Sequence, residues 1–167
     1  TVEAFLQPPI ALLAKVPQTA ALAVYFVAFG TGMSMYVAMI SLGIIPALAV
    51  TVYLAIKDLP SEMLDKAYTL GASNFEVATE VVFRQVLPKF IDAVRLAIGP
   101  AIVFLIAAEM VVGDVGFGYR IRLQFKLTHM NVVYPYLVML AFFGFALDYS
   151  LRYLQARLCP WYQRDSK

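Results

Sequence analysis

The chain has 167 residues, of which 62% are hydrophobic and 14% charged, where soluble domains carry about a quarter charged residues. That balance excludes an ordinary soluble domain, and disorder, which needs low hydrophobicity and high net charge. A net charge of +2, one cysteine and one histidine exclude a nucleic-acid-binding stripe, an internal disulfide and a structural zinc site.

The positions without charge define the candidate spans. Residues 16–56 contain no Lys, Arg, Asp or Glu, and a spanning helix needs about 20 apolar residues. Two spans are expected here, a short one at 19–29 and a full-length one at 35–56, separated by a turn at Gly30-Thr31-Gly32. Two more are expected at 96–112 and 132–151. Fold class is therefore all-α, a polytopic membrane helix bundle.

Between the second and third spans lies a charged segment, 58–94. A helix is expected to start near Ser61, just after Pro60, with Glu62 in its first turn and Leu64, Ala67 and Tyr68 on one face. Gly71 sits where a left-handed residue would end it. Ser73-Asn74-Phe75-Glu76 has the spacing of a capping box. The helix it opens is expected to stop before Pro88, which removes a donor and clashes in a helix interior. The segment is a helix–glycine–helix module, a shape suited to docking on a partner.

Gly113 to Gly118 reads as a turn at the outer end of the third span. Residues 119–130 alternate polar and apolar, the period of an extended segment. Basic residues favour the cytoplasmic side. The 58–94 segment and the tail at 152–167, with Arg152, Arg157, Arg164 and Lys167, hold most of them, so both are assigned to the cytoplasm. Arg120, Arg122 and Lys126 then face outward against the majority.

Ionisable residues at the membrane edge are costly and often functional. Glu109 has two readings: it lines a translocation path, or it pairs with Arg120 or Arg122. Asp148 is expected to pair with Arg152, four residues on. Gly99-Pro100, Pro46 and Pro135 are expected to kink or break their helices, and broken helices line substrate paths in transporters. His129 has no second ligand. Cys159 and Trp161 are placed at the cytoplasmic interface. No G-x-x-x-x-G-K-[ST] phosphate loop is present, so the chain is not itself an ATP-driven motor.

Asp65-Lys66-Ala67-Tyr68-Thr69-Leu70-Gly71-Ala72-Ser73 resembles the EAA motif of permease subunits of binding-protein-dependent ABC importers. Ala67, Gly71, Ala72 and Ser73 match it directly; Asp65 stands for its Glu and Lys66 for an Ala. Phe83-Arg84 occupy the place of its Leu-Pro, and Leu87-Pro88 supply a second one. Arg95 to Gly99, Ala108-Glu109-Met110 and Gly116 to Tyr119 follow in the order of the nitrate/sulfonate/taurine branch. Asp148 to Trp161 is also similar to that branch, and the resemblance covers about residues 17–161.

That resemblance implies a type I importer transmembrane domain whose N-terminal spans precede Thr1. It implies that Glu62, Asp65, Ala67, Gly71, Ala72, Ser73 and Glu76 contact a cytoplasmic ABC ATPase subunit, with Gly99, Pro100 and Glu109 as path residues. Other implied partners are a second permease copy or paralogue, an extracytoplasmic substrate-binding protein and the bilayer. ATP and Mg would bind the ATPase, and no cofactor this chain. The implied location is the bacterial inner membrane with the C-terminus inside, and the implied cargo a small solute: nitrate, a sulfonate, taurine, bicarbonate, a pyrimidine or a urea-type compound. The alternative is a small channel or carrier with an interfacial helical hairpin. Absence of charge well inside the spans argues against ion coupling.

Overall fold

The computed structural model describes residues 2–162 and is helical throughout, with no strand among those residues. Arg164, Asp165 and Lys167 of the expected tail lie outside the described residues. The helices are α1 (Val2–Leu13), α2 (Leu22–Phe29), α3 (Met33–Lys57), α4 (Ser61–Thr69), α5 (Asn74–Val112), α6 (Phe117–Lys126) and α7 (Met130–Leu158). Three of them, α3, α5 and α7, are long and apolar enough to cross a membrane.

The expected span at 19–29 is not one of these. Its helix, α2, has 8 residues and is about 12 Å long, well short of a hydrocarbon core of about 30 Å. Pro17 and the Gly30–Gly32 turn leave too little chain between them for a crossing, and α2 instead packs against α3. Leu22 and Tyr25 of α2, Met35 and Met39 of α3 and Ala108 of α5 form one buried cluster, with Phe104 and Val112 packed on it. Helix α1 lies outside the expected spans; it contains Pro8 and Pro9 and packs along α3.

The charged 58–94 segment is not a loop separate from the next span. From Asn74 the chain is one helix of 39 residues to Val112, with a π-helical stretch at Val77–Val82. The stop expected before Pro88 does not occur, and Pro100 does not break α5 either. An internal proline costs about 3 kcal/mol; at Pro88, burial and contact with α7 oppose that cost. Pro88 is among the most deeply buried residues of the chain, and its carbonyl accepts a 2.9 Å hydrogen bond from Gln155 Nε2 of α7. Pro46 and Pro135 likewise sit inside unbroken α3 and α7.

The 119–130 stretch, with its strand-like alternation, is mostly helix: α6 runs Phe117–Lys126. Tertiary context overrides a short alternating pattern. Gly118 and Ile121, three residues apart, are the buried positions of one helical face, and α6 packs on both α5 and α7. Cys159 is buried just past the end of α7, its N–H donating to the Gln155 carbonyl at 2.8 Å. The middle of α7 is the reverse: Phe142, Phe143 and Phe145 are exposed.

Candidate functional site

The α4 hairpin is built from local bonding. Pro60 is extended and precedes the first helical residue. At the other end Gly71 has φ +87°. Its N–H donates to the Tyr68 carbonyl at 2.9 Å, and the Ala72 N–H donates to the Ala67 carbonyl at 3.1 Å. This pair of bonds is the Schellman arrangement, in which a left-handed residue just beyond the helix lets two terminal carbonyls be satisfied. Ala67, Gly71 and Ala72 are thus joined in one turn.

Two residues on, both bonds of the capping box are present. The Ser73 N–H donates to Glu76 Oε2 at 2.8 Å, and the Glu76 N–H donates to Ser73 Oγ at 3.3 Å. The Ser73 hydroxyl also donates to the carboxylate at 2.8 Å. These bonds, the backbone one foremost, hold the Glu76 carboxyl below its ordinary range. Glu76 lies ahead of the apolar, membrane-crossing part of α5.

The hairpin rests on the rest of the chain through one face. Met63, Leu64 and Ala67 are half-buried and α4 packs on the π-helical stretch, where Val77 is buried. The opposite face is open. Glu62 and Asp65 are exposed and neither forms an ion pair among the described residues. At the tip Leu70 and Phe75 are 88% and 76% exposed. A Cβ added at Gly71 would meet nothing within 4 Å in this chain. The surface is an apolar knob with carboxylates beside it, free to receive another protein.

The three residues expected along a path do not converge. Gly99 and Pro100 are exposed on α5. Pro100 lines a groove of about 260 Å³ between α3 and α5, with Gly43, Ala47, Ala97 and Phe104. Glu109 instead borders an apolar cavity of about 610 Å³ between α5 and α7, lined by Ile102, Ile106, Phe117, Val138 and Phe142 among others.

Nor does Glu109 pair with either arginine. Its carboxylate accepts the Gly118 backbone N–H at 2.7 Å, in the first turn of α6. Arg122 turns the other way and donates to the carbonyls of Met110 at 2.9 Å, Val111 at 3.0 Å and Gly113 at 3.1 Å. Each helix end is capped by a charge of the sign its dipole favours: an anion at the start of α6, a cation at the end of α5. Arg120 Nη1 lies 3.5 Å from the Tyr136 hydroxyl.

Asp148 does meet Arg152, at 3.3 Å, but its better partner is Arg95 of α5, at 2.9 Å. Sequence reasoning missed Arg95 and Gln155 because their partners are 53 and 67 residues away. One signal was available: Gln155 follows Asp148 by seven residues, about two helical turns, on one helix.

Residues 2–159 match the family model described as "binding-protein-dependent transport system inner membrane component". The chain is 30% identical over 162 residues to the taurine transport system permease protein TauC of Escherichia coli K12, covering 97% of this chain and 59% of that protein. It is 24% identical to the putative aliphatic sulfonates transport permease protein SsuC of Bacillus subtilis 168, covering 95% of this chain and 58% of that one. It is 25% identical to the riboflavin transport system permease protein RibX of Chloroflexus aurantiacus, over 95% and 60% of the two chains. The chain thus spans about three-fifths of the length of these relatives. Among solved structures, the MetNI methionine ABC transporter in an inward-facing form has the same fold, with a TM-score of 0.70 at 20% identity over 98% of this chain and 76% of that one. With a family model matching nearly its full length, a helical membrane architecture and an EAA-like hairpin, the chain belongs to the inner membrane components of binding-protein-dependent transport systems.

Proposed function

We propose that this chain is the membrane-spanning permease part of an ATP-driven importer for a small solute, and that the α4 hairpin is where a cytoplasmic ATPase subunit engages it. The observation that carries this reading is the open face of the hairpin. Glu62, Asp65, Leu70 and Phe75 are exposed on a turn held rigid by its own backbone bonds. Exposed apolar side chains flanked by unpaired charges suit a protein interface.

A rigid turn also transmits displacement, because α5 runs from the capping box to Val112 without a break. On this reading the hairpin and the end of α7 face the cytoplasm from the inner membrane. A second permease copy or a paralogue completes the pathway, and an extracytoplasmic binding protein delivers the solute. Taurine and aliphatic sulfonates, the cargo named for two relatives, support a sulfonate as the class to try first.

The test is site-directed cross-linking in membranes containing the candidate ATPase. Single cysteines at Ala67, Gly71 and Asn74, in a Cys159→Ser background, should cross-link to the ATPase with a yield that changes on adding ATP and vanadate. Met130, at the far end of the molecule, should not. Failure at all three sites in an inserted protein would sink the proposal and leave a channel or carrier with an interfacial hairpin.

A further inference from the structure

Arg95 is a buried cation at the seam between α5 and α7, its side chain 8% exposed. Its Nε and Nη2 donate to the two oxygens of Asp148 at 2.9 and 3.3 Å, and its Nη1 donates to Asp92 at 2.7 Å. Asp148 is held in turn by Arg152 at 3.3 Å. The fork of a guanidinium on a carboxylate fixes orientation as well as distance.

The second contact of the seam is Gln155 Nε2 on the Pro88 carbonyl at 2.9 Å. Pro88 lies seven residues before Arg95, and Gln155 seven residues after Asp148. The two helices run antiparallel, so the contacts fall in one register, two turns apart on each. A slide of one helix past the other by a single residue is about 1.5 Å and would break both contacts together. The Arg95 side chain and Gln155 are both buried, so breaking these contacts leaves buried polar groups unpaired.

We propose that Arg95 and Asp148 are positioning residues for energy coupling. They pin α7 to α5, so that displacement of the hairpin moves both helices as one body and reaches the distant N-terminal end of α7. This inference rests on the coupling reading above. Without the pin, α5 would still carry displacement along its own length to Val112, while α7, held by Gln155 on the Pro88 carbonyl and by packing but without the fixed register, would lag.

The experiment uses the complete transporter with its ATPase, reconstituted in lipid nanodiscs. Two single-cysteine reporters, in a Cys159→Ser background, are read by maleimide reaction rate with and without ATP and vanadate. Val115→Cys follows the far end of α5, and Asn131→Cys the N-terminal end of α7; both native residues are exposed. In the otherwise native protein both rates should change with nucleotide. In Arg95→Ala the Val115 reporter should keep its response and the Asn131 reporter lose it.

Exchanging the charges, Arg95→Asp with Asp148→Arg, should restore the Asn131 response, because α5 then presents two acids to two arginines on α7. Arg95→Lys, which keeps the charge without the fork, should recover only part of it. An Asn131 reporter that responds normally in Arg95→Ala, or never responds in the native protein, would overturn the pin. So would loss of both responses in Arg95→Ala without recovery on charge exchange, the signature of general damage. Failure of the coupling reading itself shows separately, as absence of the Asn74 cross-link to the ATPase in the native protein.

Discussion

Glu109 of α5 and Gly118 of α6 meet carboxylate to backbone N–H at 2.7 Å, and this bond orients α6 across the end of α5. Glycine is required there. A Cβ on Gly118 would lie 2.5 Å from the Ile106 carbonyl, and backbone cannot retreat as a side chain can. The fit makes the α5–α6 corner one of the tightest places in the chain.

Removing the acceptor should therefore cost more than altering its charge. Glu109→Ala leaves the Gly118 N–H unpaired, a loss of about 1–3 kcal/mol, while Glu109→Gln retains an acceptor oxygen and should cost less than half as much. Thermal unfolding of the purified protein in detergent checks both. Equal losses would mean that the charge, acting on the helix dipole, is the larger effect.

Gly118→Ala should destabilise by about 1–3 kcal/mol through overpacking. Gly116→Ala should be at least as costly. Gly116 has φ +107°, and its Cβ would fall 2.4 Å from the Glu109 carboxyl. The same unfolding assay reads both. A tolerated alanine at either position would refute the tight corner.

Gly71→Ala presents the opposite case. Nothing in the chain obstructs a Cβ there, and only φ +87° disfavours it, at a cost of about 1–2 kcal/mol. Global stability should change little, because α4 buries no residue completely. Hydrogen exchange at the Ala72 amide, which bonds to the Ala67 carbonyl, should accelerate, and Gly71→Asn should exchange more slowly than Gly71→Ala. Unchanged protection in the alanine variant would mean that the turn does not depend on the left-handed residue.

The capping box carries a pH dependence of definite sign. Bonds from Ser73 hold the Glu76 carboxyl below its ordinary value of 4.5. A carboxyl depressed by folding contributes above its unfolded value, and the contribution is lost as pH falls through the folded one. Protection of the Glu76 and Val77 amides, measured relative to their intrinsic exchange rates at each pH, should thus be constant near neutral pH and fall only once the pH drops below about 4.5. Ser73→Ala keeps the residue-73 N–H on the Glu76 carboxylate and removes only the hydroxyl, so it should shrink that step without abolishing it and loosen the first turn of α5 at all pH values, by about 1 kcal/mol.

Several features were legible in the residues because they depend on neighbours in the chain. Gly71 can end α4, and Ser73 can cap α5, through bonds that reach no further than five residues. The charge-free stretch before Lys57 and the apolar run after Val132 announce membrane-length helices because lipid admits no charge, whatever lies beside them. The short α2 shows the limit of that logic: being apolar is not enough when prolines and glycines shorten the helix. Pro88 shows another, since its burial against α7 is invisible to a rule about isolated helices.

The residues alone were enough to show a helical membrane protein, apolar runs at 35–56, 96–112 and 132–151 that fall inside its three long helices, and a capped, glycine-centred hairpin before the second of them. Composition and local hydrogen bonding suffice for those, because bilayer and backbone impose the same terms on any chain. That Glu109 serves Gly118 rather than an arginine, that α5 passes through Pro88 unbroken, and that Arg95 finds Asp148 across the seam came from long-range packing. Each of those outcomes is a choice among partners far apart in the chain, and packing of α5 against α6 and α7 makes it.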